Sequence, residues 1–149
     1  MTRINLVPVE TLTRLHLIAE YAELPRIVSL VRRAQDRGET PASVRKRAPQ
    51  SFTFGAGHAM FFYTRLTWLV NRYDQLVKEM QDRGYDPQYP SLNNRIVGIQ
   101  DWWFNDYEPT LDEIALSQSR IDDRVANPVG RQRKAPSMML GTLKEMGLD

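Results

Sequence analysis

Three stretches of the chain repeat apolar residues at helical spacing, and none alternates convincingly as a strand would. The first runs from Val9 to Arg37. At about 100° per residue, it places Leu17, Tyr21, Leu24, Val28 and Val31 on one side. Gly38 is its natural stop. Pro25 lies inside the pattern and predicts a kink, because proline lacks an N–H and crowds the carbonyl of Tyr21. The second stretch runs from Ala59 to Arg83 and ends at Gly84. Its Phe62, Leu66, Leu69, Tyr73, Leu76 and Met80 form a seam for a partner helix. The third opens on Thr110 and Glu113, the spacing of a capping box. Leu111, Ile114, Ile121 and Val125 supply its expected buried stripe, and Asn127-Pro128 closes it. A short turn near Ser137 to Met146 is also read as helical. The predicted fold is all-α: a compact single domain over residues 1–149, with three main helices joined by long irregular loops.

Two loops carry more than punctuation. Arg45-Lys46-Arg47 is a basic cluster followed by Pro49. Trp102-Trp103-Phe104 with Tyr107 is an aromatic cluster, read as plugging the core between helices, with base stacking as the alternative.

Composition then narrows the chemistry. The 149 residues suit one core. The absence of cysteine excludes a disulfide framework, a Cys-ligated zinc and an iron–sulfur cluster. His16 and His58 are too few for a His-rich metal site, so no metal and no cofactor are expected. Apolar runs are too short to span a membrane and the N-terminus lacks a signal-peptide core, so a soluble cytoplasmic protein is expected. The net charge is only +2, but residues 1–50 carry +4 and residues 101–149 carry −3. Sixteen of the 20 basic residues are arginine, whose planar fork suits phosphate.

Opposite its core stripe, the first helix gathers His16, Glu23, Arg26, Arg33 and Arg37 within a wedge of roughly 100°. One carboxylate among arginines fits an ordinary ion-pair network. It fits equally an acid or electrostatic stabiliser held in a phosphate-binding face. On the third helix Ser117, Arg120 and Arg124 share a side, which could complete a groove for a DNA backbone.

These residues also carry a resemblance. Met1-Thr2-Arg3-Ile4-Asn5-Leu6, His16-Leu17, Ala19-Glu20-Tyr21 and Glu23-Leu24-Pro25-Arg26 resemble the pyrimidine-dimer DNA glycosylase family, also called phage endonuclease V. Gly55-Ala56-Gly57-His58 with Phe61-Phe62-Tyr63 is similar to a second block of that family, and Ser117-Gln118 with Arg120 and Arg124 to a third. The resemblance covers about residues 1–127 and leaves 128–149 as a divergent segment. It implies an all-helical fold whose N-terminal segment reaches the active site, acting as a monomer. The implied substrate is damaged double-stranded DNA carrying ultraviolet-induced pyrimidine dimers. The implied activity is glycosidic cleavage at the 5′ pyrimidine, followed by strand scission through β-elimination, that is, a glycosylase with abasic-site lyase activity.

The same resemblance implies the α-amine of Thr2, freed by removal of Met1, as nucleophile and Glu23 as the essential carboxylate. Arg3, His16, Arg26, Arg65, Arg120 and Arg124 are the DNA-binding candidates it implies. Gly55 to His58 is read as setting a tight helix start. An α-amine, with a pKa of roughly 7.7–8.0 against about 10.4 for lysine, holds on the order of a hundredfold more neutral form near pH 7. The chain departs from the family at Leu15, where the phage enzyme has glutamine, and at Ala22, where it has arginine. Those departures leave lesion identity open: the same chemistry on oxidised bases or abasic sites, and a catalytically silent DNA-binding module, are the alternatives.

Overall fold

The computed structural model describes residues 3–126. Thr2, the turn expected near Ser137 to Met146, and the basic residues Arg131, Arg133 and Lys134 lie outside the described residues. The described chain is all helical, with no strand. A 3-10 turn, Val9–Thr11, precedes α1 (Arg14–Asp36), α2 (Pro41–Arg45), α3 (His58–Phe61), α4 (Leu66–Asp82) and α5 (Asn93–Ile96). A second 3-10 turn, Asp101–Trp103, leads to α6 (Leu111–Ala126).

The expected first helix begins five residues late. Thr13 is extended and caps α1, its hydroxyl accepting from the His16 N–H at 3.3 Å. That bond satisfies one of the orphan donors of the first turn and fixes the start at Arg14. Pro25 does not end the helix, which continues to Asp36. Gly38, at φ +85°, stops it there, and the Glu39 N–H returns to the Ala34 carbonyl at 3.0 Å.

The expected second helix is two pieces, α3 and α4. Phe61, Phe62, Tyr63 and Thr64 are all buried, which one helical face cannot achieve for four consecutive residues. The chain leaves helical geometry between the pieces and resumes after Arg65, at φ −132° and ψ 39°. The expected seam, from Phe62 through Met80, is buried throughout. In α6 the capping box forms: the Thr110 hydroxyl accepts from the Glu113 N–H, and the Glu113 carboxylate accepts from the Thr110 N–H. The stripe expected there is only half right. Ile114, Ser117 and Ile121 face inward, whereas Leu111 is 84% and Val125 51% exposed. Ser117 is the polar residue that α6 buries, and the inward face centres on it.

α1 packs on α4. Leu17, Leu24, Val28 and Val31 of α1 are buried with Leu66, Leu69, Leu76 and Met80 of α4. Each such burial is worth about 1.5–3 kcal/mol relative to exposure. Tyr21 stacks on Tyr73 at 5.5 Å, and both hydroxyls engage the Tyr89 backbone. Gln35 near the end of α1 receives the Trp103 indole N–H at 3.2 Å and the Gln100 N–H at 2.8 Å. Trp103 is wholly buried and plugs the core as expected, but its neighbour Trp102 is half exposed.

Candidate active site and nucleic-acid interface

Residues 4–7 are buried one after another without a strand to pair with. Their backbone groups still need partners, and side chains from distant elements supply them. Ile4 N–H donates to Nε2 of His58 at 2.8 Å, and Leu6 N–H to the Ser117 hydroxyl at 2.9 Å. The Val7 carbonyl accepts from Arg72 at 2.6 Å, and the Asn5 side chain donates to Glu20 at 3.0 Å. Helices α1, α3, α4 and α6 thus each hold one residue of the segment that leads to the N-terminus.

Glu20 and Arg72 form a wholly enclosed pair. Arg72 Nε reaches Glu20 Oε2 at 2.6 Å and its Nη2 reaches Oε1 at 3.0 Å. Their side chains are 0% and 4% exposed, respectively. Neither residue stood out in the sequence, where both fall within otherwise apolar helical stripes. A charge of each sign on two such stripes was the available signal, since buried charges come paired.

One turn further along α1 lies Glu23. Its side chain is 14% exposed, and Oε2 sits 3.2 Å from Nη1 of Arg26. That contact lacks hydrogen-bond alignment, so the enclosed Oε2 makes no hydrogen bond. Arg26 is exposed, as the predicted wedge requires of Arg33 and Arg37 as well, and all three are. His16 departs from that wedge. It is buried at the start of α1, where Nδ1 lies 2.8 Å from the Thr13 hydroxyl. Leu15 and Ala22, the two departures from the family pattern, pack against the core.

The basic residues of the two ends converge at Phe54. The Arg3 guanidinium stands 6.0 Å and that of Arg120 5.7 Å from the Phe54 ring. Burial, together with repulsion from Arg120 and Arg124, pulls the Arg3 pKa down to about 10. Three cations that raise one another's energy are stabilised by an anion among them. Ser117 does not join this basic face, contrary to expectation: it is fully buried beneath it, holding Leu6. Arg65 lies apart, its guanidinium 3.9 Å from the Phe61 ring centre and 5.2 Å from that of Tyr107. Burial lowers its pKa, partly offset by Tyr107 and Glu113.

His58 links these parts. Gly57, at φ +87°, starts α3, and a Cβ there would press on the Pro49 ring at 3.0 Å. The turn sets the imidazole between Phe52, Phe54 and Phe62, stacked on Phe54 at 5.3 Å. Nδ1 lies 2.7 Å from the Thr53 carbonyl. The helix-start role expected for Gly55 to His58 is present, and the imidazole adds a contact the sequence did not suggest.

Fold and site together define an all-helical protein with an arginine-rich face gathered around a buried N-terminal segment. A family model described as pyrimidine dimer DNA glycosylase matches residues 1–93, so the chain belongs to the pyrimidine dimer DNA glycosylase family. That makes it a DNA-repair glycosylase by family. No helix of the described residues is long and apolar enough to cross a membrane.

Proposed function

We propose that this protein excises the 5′ base of ultraviolet-induced pyrimidine dimers in duplex DNA and then cuts the strand as an abasic-site lyase. The nucleophile is the α-amine of Thr2, after removal of Met1, and Glu23 is the assisting carboxylate. The observation that carries this reading is the anchoring of residues 4–7 by four helices, beside the Arg3, Arg120 and Arg124 cluster. Asn5 is bonded to Glu20, and Glu23 lies one helical turn beyond, with Cβ atoms of such pairs about 5–6 Å apart. Thr2 is three residues from Asn5, a reach of at most about 11 Å, so its amine can meet the Glu23 carboxylate.

The neutral amine attacks the sugar C1′ and expels the base, and the opened sugar forms an imine with Thr2. The protonated imine acidifies the C2′ hydrogen. Loss of that proton to a base forms the C2′–C3′ double bond as the 3′ phosphate leaves. The Arg3, Arg120 and Arg124 charges favour the neutral amine and receive the DNA phosphates. Glu23, partly exposed and bridged to Arg26, is the carboxylate assigned to the sugar hydroxyl or to proton transfer. Arg26 meets DNA beside it and Arg65 meets backbone at the aromatic edge; His16, buried and bonded to Thr13, supports the start of α1 in place of the DNA contact expected of it.

The test is lesion choice. Matched duplexes carrying a single pyrimidine dimer, an oxidised pyrimidine or an abasic site are incubated with the protein, and cleavage is followed on denaturing gels. Cleavage of the dimer duplex with the 5′ glycosidic bond broken, the freed base staying joined to the 3′ pyrimidine through the cyclobutane ring, supports the reading. Cleavage confined to the oxidised or abasic duplex, or of none, overturns it.

A further inference from the structure

The geometry points to His58 as a positioning residue for the N-terminal nucleophile, acting through its hydrogen bond to the Ile4 N–H. The inference rests on the Thr2 reading above and adds what holds that amine in place. The Thr53 carbonyl only accepts, so Nδ1 carries the imidazole proton. The Ile4 N–H only donates, so Nε2 keeps its lone pair. The two partners therefore fix one neutral tautomer. His58 is 2% exposed and ringed by Phe52, Phe54 and Phe62, which exclude water that could replace the contact. Burial, and the nearby positive charge of Arg3, lower its pKa against the opposing bond to Thr53, so the neutral form persists. The same Phe54 ring that covers the imidazole stands beside Arg3 and Arg120, so one stack ties the anchor to the phosphate-binding cluster.

The geometric consequence is confinement. With Ile4 fixed, Thr2 is two residues away and its amine samples a sphere of at most about 7 Å. Without that bond the next hydrogen-bonded anchors are Asn5 at Glu20 and Leu6 at Ser117, with the buried Ile4 side chain and the Arg3 contact with Phe54 as weaker restraints. The tether lengthens to about 11 or 14 Å, and the accessible volume grows roughly three- to eightfold. The rate of imine formation at saturating DNA should fall by about that factor, with DNA affinity unchanged.

Two substitutions separate anchoring from folding. His58→Asn keeps a donor near the Nδ1 position for Thr53 but offers nothing to Ile4. His58→Gln carries its carboxamide oxygen to the Nε2 position and restores an acceptor. Each chain is read by hydrogen exchange of the Ile4 amide and by the rate of borohydride-trapped adduct on abasic-site DNA. The expected result is a protected Ile4 amide and near wild-type trapping for Gln, with an exchanging amide and three- to eightfold slower trapping for Asn. If the Asn chain does not fold, the Gln chain decides alone: trapping that follows Ile4 protection supports the assignment, and trapping that ignores it overturns it. Equal trapping rates across folded chains that differ in Ile4 protection overturn the His58 assignment only. Absence of any N-terminal adduct in the unsubstituted protein instead overturns the Thr2 reading, and the assignment with it.

Discussion

Glu20 and Glu23 lie one turn apart on the same helix, and each sits beside an arginine, yet their surroundings are opposite. Glu20 is fully enclosed and hydrogen-bonded at both oxygens: both meet Arg72 and one also receives Asn5. Glu23 is partly enclosed, faces an exposed Arg26, and keeps an oxygen without a hydrogen bond. A carboxylate closed to solvent and bonded at both oxygens serves to join elements, here α1, α4 and the N-terminal segment. A carboxylate with an enclosed oxygen that makes no hydrogen bond carries a desolvation cost, here offset by the charge of Arg26. Proximity to arginine therefore does not distinguish the two carboxylates; their burial and hydrogen bonding do.

The contrast yields graded outcomes. Arg72→Met strands the Glu20 charge in the core, with an expected loss of about 3–5 kcal/mol in urea unfolding. A loss below about 1 kcal/mol would show that water reaches the pair. Glu23→Gln is expected to slow dimer cleavage by about 10²–10⁴-fold while stability stays within about 0.5 kcal/mol. Gel-shift affinity for dimer DNA should be largely unchanged, and retained cleavage would remove Glu23 from the chemistry. Ser117→Ala leaves the buried Leu6 N–H without its acceptor, at a cost of about 1–3 kcal/mol in the same unfolding assay. Arg120→Ala is expected to reduce the salt slope of DNA affinity by about 0.9, one phosphate contact's worth.

Acid should sharpen the role of the histidine. The folded-state pKa of His58 lies below its ordinary value of 6.5, so the unfolded chain takes up the proton first. Its stabilising contribution is complete above about pH 6.5 and is lost as pH falls from there through the depressed folded value. The urea midpoint of the unsubstituted chain should drop between pH 7 and pH 5 more than that of His58→Gln. An identical drop in both would place the acid sensitivity elsewhere.

Much of this was legible in the sequence, and the failures have physical causes. The α1 and α4 seams follow the 3.6-residue period because burial there is one-sided. Glu113 was visible as a cap of α6. Burial raises its pKa, but bonds from Thr110, Phe52 and Tyr107 outweigh that and hold it low, so it also ties two loops to the helix. The α3–α4 break was hidden because an aromatic run reads as helix whichever way it is buried. Ser117 was misread because a small polar residue sharing a side with Arg120 and Arg124 looks solvent-facing, while its partner, the Leu6 backbone, leaves no mark in side-chain periodicity. The Ile4 bond to His58 was invisible for the same reason. Leu111 and Val125 fit the apolar period of α6 yet lie exposed at its two ends.

The central claim is that the anchored N-terminal segment delivers its own amine to the lesion. Borohydride reduction of the protein, verified by mass to lack Met1, on a duplex with a single pyrimidine dimer tests this most directly, with peptide mapping of the adduct. The predicted result is a stable protein–DNA adduct on the α-nitrogen of Thr2, lost when that amine is acetylated. An adduct on a lysine side chain, or strand cleavage that persists with the amine blocked, would contradict it.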